Sequence, residues 1–353
     1  MMRRSPGPDT AGGTDAAGAV DGPGETGTAV AMAAERVSAG AREWVGANAA
    51  YLNSPEALAL LPVTPRVKAL LQLALLCRYW EKAAPGDGAL AQALGVVEEA
   101  GRRPDFLPLM VGDPVNARPF QLVWAALAPP GVSGEWRHGA LERLTAQGYL
   151  TPGRKPPYLH LGTRFYADLA GAGHRLGSYQ ELYAASVLAR AGGSPVEGLD
   201  VCEVTDTVFY LSDYGFGDRG LGLDRETWER AWDVVDRLTG HCVREGEWES
   251  AAKLVLAQYC LGMDPLRTPS GAAGVRMLAR IQEPLGAIPG KSASRRAPAT
   301  ASAGEYFRWA YQATLVTALS MLIITAGRTG GLLPAGAAVP AGAAGAESVE
   351  GAR

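Results

Sequence analysis

The stretch from Asp200 to Gly220, DVCEVTDTVFYLSDYGFGDRG, carries Glu203, Asp206, Tyr210 and Asp213 at helical spacing. At about 100° per residue, these four side chains fall within roughly a quarter of a helix circumference. Val204, Val208 and Leu211 gather on another face. One side of such a helix packs while the other presents three carboxylates and a phenol. Carboxylates one turn apart repel, and burial raises their pKa values further, so the stripe calls for a cation, a metal or a shared proton. The chemistry it suits is proton transfer. Asp206 would be the general acid or base, Asp213 would orient it or ligate a metal, and Tyr210 would donate a hydrogen bond to substrate. A structural alternative stands beside this: the acids line a solvated face, or pair with arginines such as Arg164, Arg175 or Arg308.

Few other residues compete for a chemical role. His138, His160, His174 and His241 are widely spaced and form no metal-binding pair on one helix face. Cys77, Cys202, Cys242 and Cys260 lack CxxC or CxxH spacing, which favours buried free thiols in a reducing cytoplasm over a disulfide framework or a zinc site. No cofactor or metal is specified. Gly215, Gly217 and Gly220 follow the stripe without a preceding strand, so a capping turn, with Gly215 just past the helix end, is expected rather than a phosphate cradle. Glu249 and Gln258 sit in a helix that otherwise follows a core rhythm. An Asp-x-Asp-Asp run is absent, and DVVD at 233–236 gives only the outline of a diphosphate-binding motif.

The elements that must position the stripe are helical almost throughout. Helices are expected at 28–48, after Ser54 and Pro55, after Thr64 and Pro65, and near 87–101, 117–127, 136–147, 163–171, 178–191, 200–214, 224–243, 246–262, 270–284 and 304–327. Ser178 and Glu181 have capping-box spacing, and Asp224 is placed to cap the helix that follows it. PPYLHL at 156–161 is the one short candidate strand. The class is therefore all-α, a multi-helix α/α toroid or orthogonal bundle of about a dozen helices without a fixed repeat. One domain is expected over 28–327 with a flexible loop at about 285–303. The tails at 1–27 and 328–353 are too poor in large apolar residues to fold.

Composition narrows the partners. Among 353 residues, 47% are hydrophobic and 20% charged, enough for a large core. A net charge of −3 gives no reason to expect a nucleic-acid surface. The run at 313–326 is shorter than the roughly 20 apolar residues a membrane span needs, so a core helix is expected there.

Two motifs carry a resemblance. Val204-Thr205-Asp206-Thr207-Val208-Phe209-Tyr210-Leu211-Ser212-Asp213-Tyr214-Gly215 and Tyr311-Gln312-Ala313-Thr314-Leu315-Val316 resemble an actinobacterial family of uncharacterised proteins, a domain of unknown function. The likeness implies a fold rather than an activity. Where that family's pattern has histidine, this chain has Asp206 and Gln312. The pair would keep a hydrogen-bonded seam, or replace histidine chemistry with a carboxylate. The resulting expectation is a cytoplasmic protein with a polar central cavity lined by Glu203, Asp206, Tyr210, Asp213, Tyr311 and Gln312. It would take a small-molecule or peptide ligand, as a tailoring enzyme or accessory protein of specialised metabolism. A non-catalytic scaffold is the alternative, and a terpene-type enzyme a third reading that the aromatic content of 7% disfavours.

Overall fold

The computed structural model describes residues 23–132, 134–217, 224–291 and 302–329. Among them are fifteen α-helices, three short 3-10 helices and no β-strand. The helices are α1 (Pro23–Asn48), α2 (Pro55–Leu60), α3 (Val63–Ala83), α4 (Gly88–Arg102), α5 (Phe106–Val111), α6 (Ala117–Leu127), α7 (Gly134–Ala146) and α8 (Pro157–Ala170). They continue with α9 (Tyr179–Ala184), α10 (Val187–Arg190), α11 (Val201–Ser212), α12 (Arg225–Arg244), α13 (Trp248–Cys260), α14 (Pro269–Ile281) and α15 (Ala303–Thr329). Residues 1–22 and 330–353 of the expected tails, 292–301 of the expected loop, and Asp218 and Gly220 of the Gly-rich turn lie outside the described residues.

Local chemistry sets several of these boundaries. The Ser54 hydroxyl accepts from the Ala57 amide at 3.1 Å, with Pro55 opening α2. Ser178 and Glu181 form the expected capping box of α9, and Asp224 accepts from the Thr227 amide at 2.8 Å at the start of α12. Thr64 does not cap α3, which begins one residue earlier at Val63; its hydroxyl donates instead to Asp113 at 2.8 Å. PPYLHL is not a strand. Pro157 opens α8, whose buried face includes His160, Leu161, Phe165 and Tyr166. The expected helix at 178–191 is two, because Ser186 caps a new start at α10. Helix α5 has no counterpart in the sequence reading, being a single short turn with Pro108 inside it. Helix α1 starts within the expected N-terminal tail.

Contacts run from α1 through α4, α3, α6, α8, α11, α13 and α14 back to α1, and α15 packs against α1, α3 and α13. Held from three directions, α15 is buried around most of its circumference, with Ala310, Thr314, Thr317, Ala318, Met321 and Ile324 all inaccessible. This accounts for a helix that is apolar on every side. Its length and composition would suit a membrane span, but 78% of its most apolar window is buried inside the protein. Three of the four cysteines are buried free thiols as expected. Cys202 is exposed, because it falls in the first turn of α11 on its outward side.

Candidate functional site

Helix α11 starts where the Asp200 carboxylate accepts from the Cys202 amide at 2.7 Å. It presents Val204, Val208 and Leu211 to the core, each fully inaccessible, as its periodicity requires. It stops at Ser212, two residues before the expected end, so Asp213 is not the last member of a helical stripe. Asp213 and Tyr214 adopt left-handed backbone, with φ of 45° and 57°, and Gly215 follows at 86°. They are the two non-glycine residues with positive φ among those described. The conformation costs an aspartate little and a tyrosine more, and tertiary contacts hold it.

Those contacts come from α3. The Tyr79 hydroxyl donates to Asp213 Oδ1 at 2.6 Å, and Lys82 Nζ lies 3.4 Å from Oδ2. The same ammonium sits 5.0 and 5.1 Å from the ring centroids of Tyr79 and Phe216. The Tyr214 ring packs between Tyr79, at 4.6 Å, and Phe209, at 4.9 Å. Asp213 is thus a buried, bonded tie between α3 and the end of α11, and it makes no hydrogen bond to Asp206. Arg164, one of the arginines considered as partners, goes elsewhere: it pairs with Asp168 at 3.6 Å and donates to the carbonyls of Leu176 and Gly177.

Asp206 has the opposite surroundings. It is half-buried and makes no hydrogen bond or ion pair with any described residue. Burial pushes its carboxyl up to about 6. Lys253 on α13 and Lys68 on α3 pull against that rise, and Asp200 adds to it. Four phenols feel its charge: Tyr158 and Tyr166 on α8, Tyr210 one turn along α11, and Tyr214 just past its end. Burial is the main reason that Tyr210 and Tyr166 stay protonated far above the ordinary phenol range. The Tyr210 ring lies over Gly162 and against Phe165 and Tyr166, with centroids at 5.1 and 5.9 Å. A methyl at Gly162 would come within 3.0 Å of that ring, so the glycine is what lets α8 and α11 close here.

The remaining expected residues divide. Glu203 is half-buried beside Asp206, within range of Tyr158. Tyr311 is buried on α15, and its hydroxyl donates to the Ala69 carbonyl of α3 at 3.2 Å. Gln312 is half-buried, and no hydrogen bond joins it to Asp206. Gln258, a polar residue in a helix of core rhythm, is fully buried in a closed network. Its amide nitrogen donates to the hydroxyls of Thr239 and Ser270, and its oxygen accepts from Thr268 at 2.6 Å. No group of three or more His, Cys, Asp or Glu side chains among the described residues is arranged to hold a metal.

The residues missed by sequence reasoning lie on α3. Lys68, Gln72, Leu75, Tyr79 and Lys82 recur at spacings that place them within about 80° of one another. Tyr79 and Lys82 reach Asp213, so the C-terminal end of this stripe meets the end of α11, and the Lys68 charge is felt by Asp206. Gln72, between them, has a side-chain oxygen sealed from solvent with no hydrogen-bond partner. The i, i+4, i+7, i+11 spacing was the available signal, masked by the apolar residues that surround it. A family model described as Domain of unknown function (DUF6895) matches residues 38–322. No curated protein and no solved structure matches the chain.

Proposed function

The chain belongs to the DUF6895 family, a membership that assigns no chemistry, and from the geometry of α11 we propose that it binds a small-molecule or peptide ligand at Asp206, with Asp206 able to exchange a proton with it. One observation carries this reading: a half-buried carboxylate without a hydrogen-bond partner, its acid pushed up to about 6. A buried polar group left unpartnered costs stability. A carboxyl tuned close to neutral pH is suited to giving and taking protons. Tyr158, Tyr166 and Tyr210 supply protonated phenols at its flank, and Glu203 lies on the same face. The role would be that of a tailoring enzyme or a ligand-binding accessory protein; its place in specialised metabolism rests on sequence style alone. Three buried free thiols accord with a cytoplasmic setting.

A scaffold reading draws on Leu60, Val63, Val111 and Val115, large apolar side chains that are all exposed. The Thr64–Asp113 hydrogen bond ties the segments that carry them. The test is native mass spectrometry of the full-length protein purified from its host. The reading expects a retained small molecule or peptide on the wild type that is lost from Asp206→Asn, with both proteins melting cooperatively. Identical spectra for the two, or adducts that survive the substitution, would remove Asp206 from the binding site.

A further inference from the structure

The five lysines of the chain are housed in different ways. Lys82 lies beside the Asp213 carboxylate, and Lys291 pairs with Glu247 and donates to the Glu245 carbonyl at 3.1 Å. Lys253 places its ammonium 3.8 Å from the Cys202 sulfur, and Lys68 is exposed to water. Lys155 has neither a carboxylate nor water. Its Nζ is sealed from solvent without a hydrogen-bond partner, 3.6 Å from the centroid of the Tyr149 ring. A second cation meets the same ring, with Arg118 Cζ 5.5 Å from that centroid. Both distances run from one point, so the amine and the guanidinium are no further apart than 3.6 and 5.5 Å laid end to end. Arg118 is exposed in the first turn of α6, and its guanidinium makes no hydrogen bond or ion pair with any described residue. His160 on α8 is engaged elsewhere, its Nε2 lying 2.8 Å from the Gly153 carbonyl oxygen. Two cations therefore share one phenol ring with no acid between them. An ammonium kept out of water beside another cation gives up its proton more readily than a solvated one. Burial, and after it the Arg118 charge, bring the Lys155 ammonium down to about 8. The neutral amine so released is a nucleophile for carbonyl carbon. The unengaged guanidinium fork matches a carboxylate.

We propose that Lys155 and Arg118 form a covalent site for a small oxo acid, Arg118 holding its carboxylate while Lys155 Nζ condenses with its carbonyl. The nitrogen adds to the carbonyl carbon and a C–N bond forms. The carbonyl oxygen then leaves as water carrying the two amine hydrogens, and an imine remains. The step is redox-neutral and needs no co-reactant. Arg154 and Pro156, on either side of Lys155, are exposed, so the sealed amine lies one flexible side chain below the surface. The proposal does not draw on Asp206, and either reading stands without the other.

The probe is glyoxylate, with acetaldehyde as the control that lacks a carboxylate, added to the full chain at neutral pH. Sodium cyanoborohydride traps any imine as a secondary amine, and peptide mass spectrometry reads all five lysines in one digest. Lys155 should be trapped by glyoxylate at least about tenfold faster than the solvated Lys68. The preference for glyoxylate over acetaldehyde should be several-fold larger at Lys155 than at Lys68. Arg118→Gln should bring that preference down to the Lys68 value, with an unchanged thermal melt. In urea the lysines should react alike, because the sealing of Nζ and the shared ring belong to the fold. Trapping of Lys155 no faster than of Lys68 overturns the proposal. So does a glyoxylate preference that is equal at the two lysines, since no carboxylate is then being held. A preference that survives Arg118→Gln, or persists in urea, overturns it as well, the first by removing Arg118 from the site and the second by assigning the effect to the neighbouring sequence.

Discussion

Asp213 and Asp206 stand seven residues apart on one segment, and they are opposite solutions to burying a carboxylate. Asp213 is bonded to Tyr79, paired with Lys82 and fixed in a left-handed turn that few side chains tolerate. Asp206 has none of these and meets its burial by holding its proton up to about pH 6. A carboxylate supplied with partners by the fold is part of the frame. One left without them has no such place in the frame, and on the proposed function it is kept for a ligand. Composition and helical phase cannot separate the two, since both acids occupy the same polar side of α11 in sequence.

The sharpest way to break this contrast is at the bonded end. Asp213→Ala removes the acceptor of the Tyr79 hydroxyl and the carboxylate beside Lys82, and puts alanine where φ is positive. The expected loss is about 2–3 kcal/mol by urea denaturation, most of it from the buried hydrogen bond to a charged acceptor, with little from an ion pair whose lysine is exposed. A loss under about 1 kcal/mol would place Asp213 with Asp206 as an unneeded acid and end the comparison.

At the unbonded end the same measurement should change sign. The folded-state pKa of Asp206 lies above its unfolded value, so the folded protein binds the proton more readily. Stability therefore falls as pH rises from about 4 to about 6 and stays reduced above it. Asp206→Asn removes that dependence. It should stabilise the fold by about 2 kcal/mol at pH 7.5, less than the full shift implies because the group is only half-buried, and the advantage should shrink toward zero near pH 4. A destabilising Asp206→Asn at pH 7.5 would mean that the carboxylate has partners after all.

How far these two residues could be read in the sequence follows from the range of the forces that place them. The packing side of α11 was legible because Val204, Val208 and Leu211 repeat at helical spacing, and all three are inaccessible. The helix end was not. Gly215 looked like the place for a left-handed residue, yet the turn begins at Asp213, held by Tyr79 from 134 residues away along the chain. Local propensity carries no record of such a contact. The stripe on α3 was hidden for a related reason: Lys68, Gln72, Tyr79 and Lys82 lie in a helix that is apolar on most sides, and Tyr79 and Lys82 gain their role only once Asp213 is opposite. Tyr311 was singled out and is indeed buried, but it bonds to Ala69 of α3 and not to the α11 acids. Gln312 shows no bond to Asp206, so the seam expected between them is absent among the described residues.

A smaller effect tests the surface on which Asp206 lies. Gly162→Ala should cost about 1 kcal/mol, since the new methyl would crowd the Tyr210 ring at 3.0–3.4 Å. Gly95→Ala on α4, where the new methyl meets nothing within 4 Å, should gain about 1 kcal/mol from helix propensity alone. The pair distinguishes a glycine required by the ring from one that is merely tolerated. Equal gains at both positions would show that Tyr210 is free to move and that the aromatic flank of Asp206 is not fixed.

The smallest predicted effect bears most directly on why Asp206 stays available. Lys253 lowers the Asp206 pKa through space while its ammonium rests near Cys202. Removing that charge in Lys253→Met should raise the Asp206 pKa by about half a unit, with the exposed Lys68 unable to compensate fully. The interaction crosses a partly solvated gap, so most of the difference should disappear at 1 M salt, where the screening length drops to about 3 Å. Carboxyl NMR at low and high salt reads both quantities on one sample. A rise of two units or more that salt leaves untouched would reveal a direct Lys253–Asp206 pair, and the two ends of α11 would then be alike. A small rise that salt removes leaves Asp206 as the carboxylate for which the fold supplies no cation of its own.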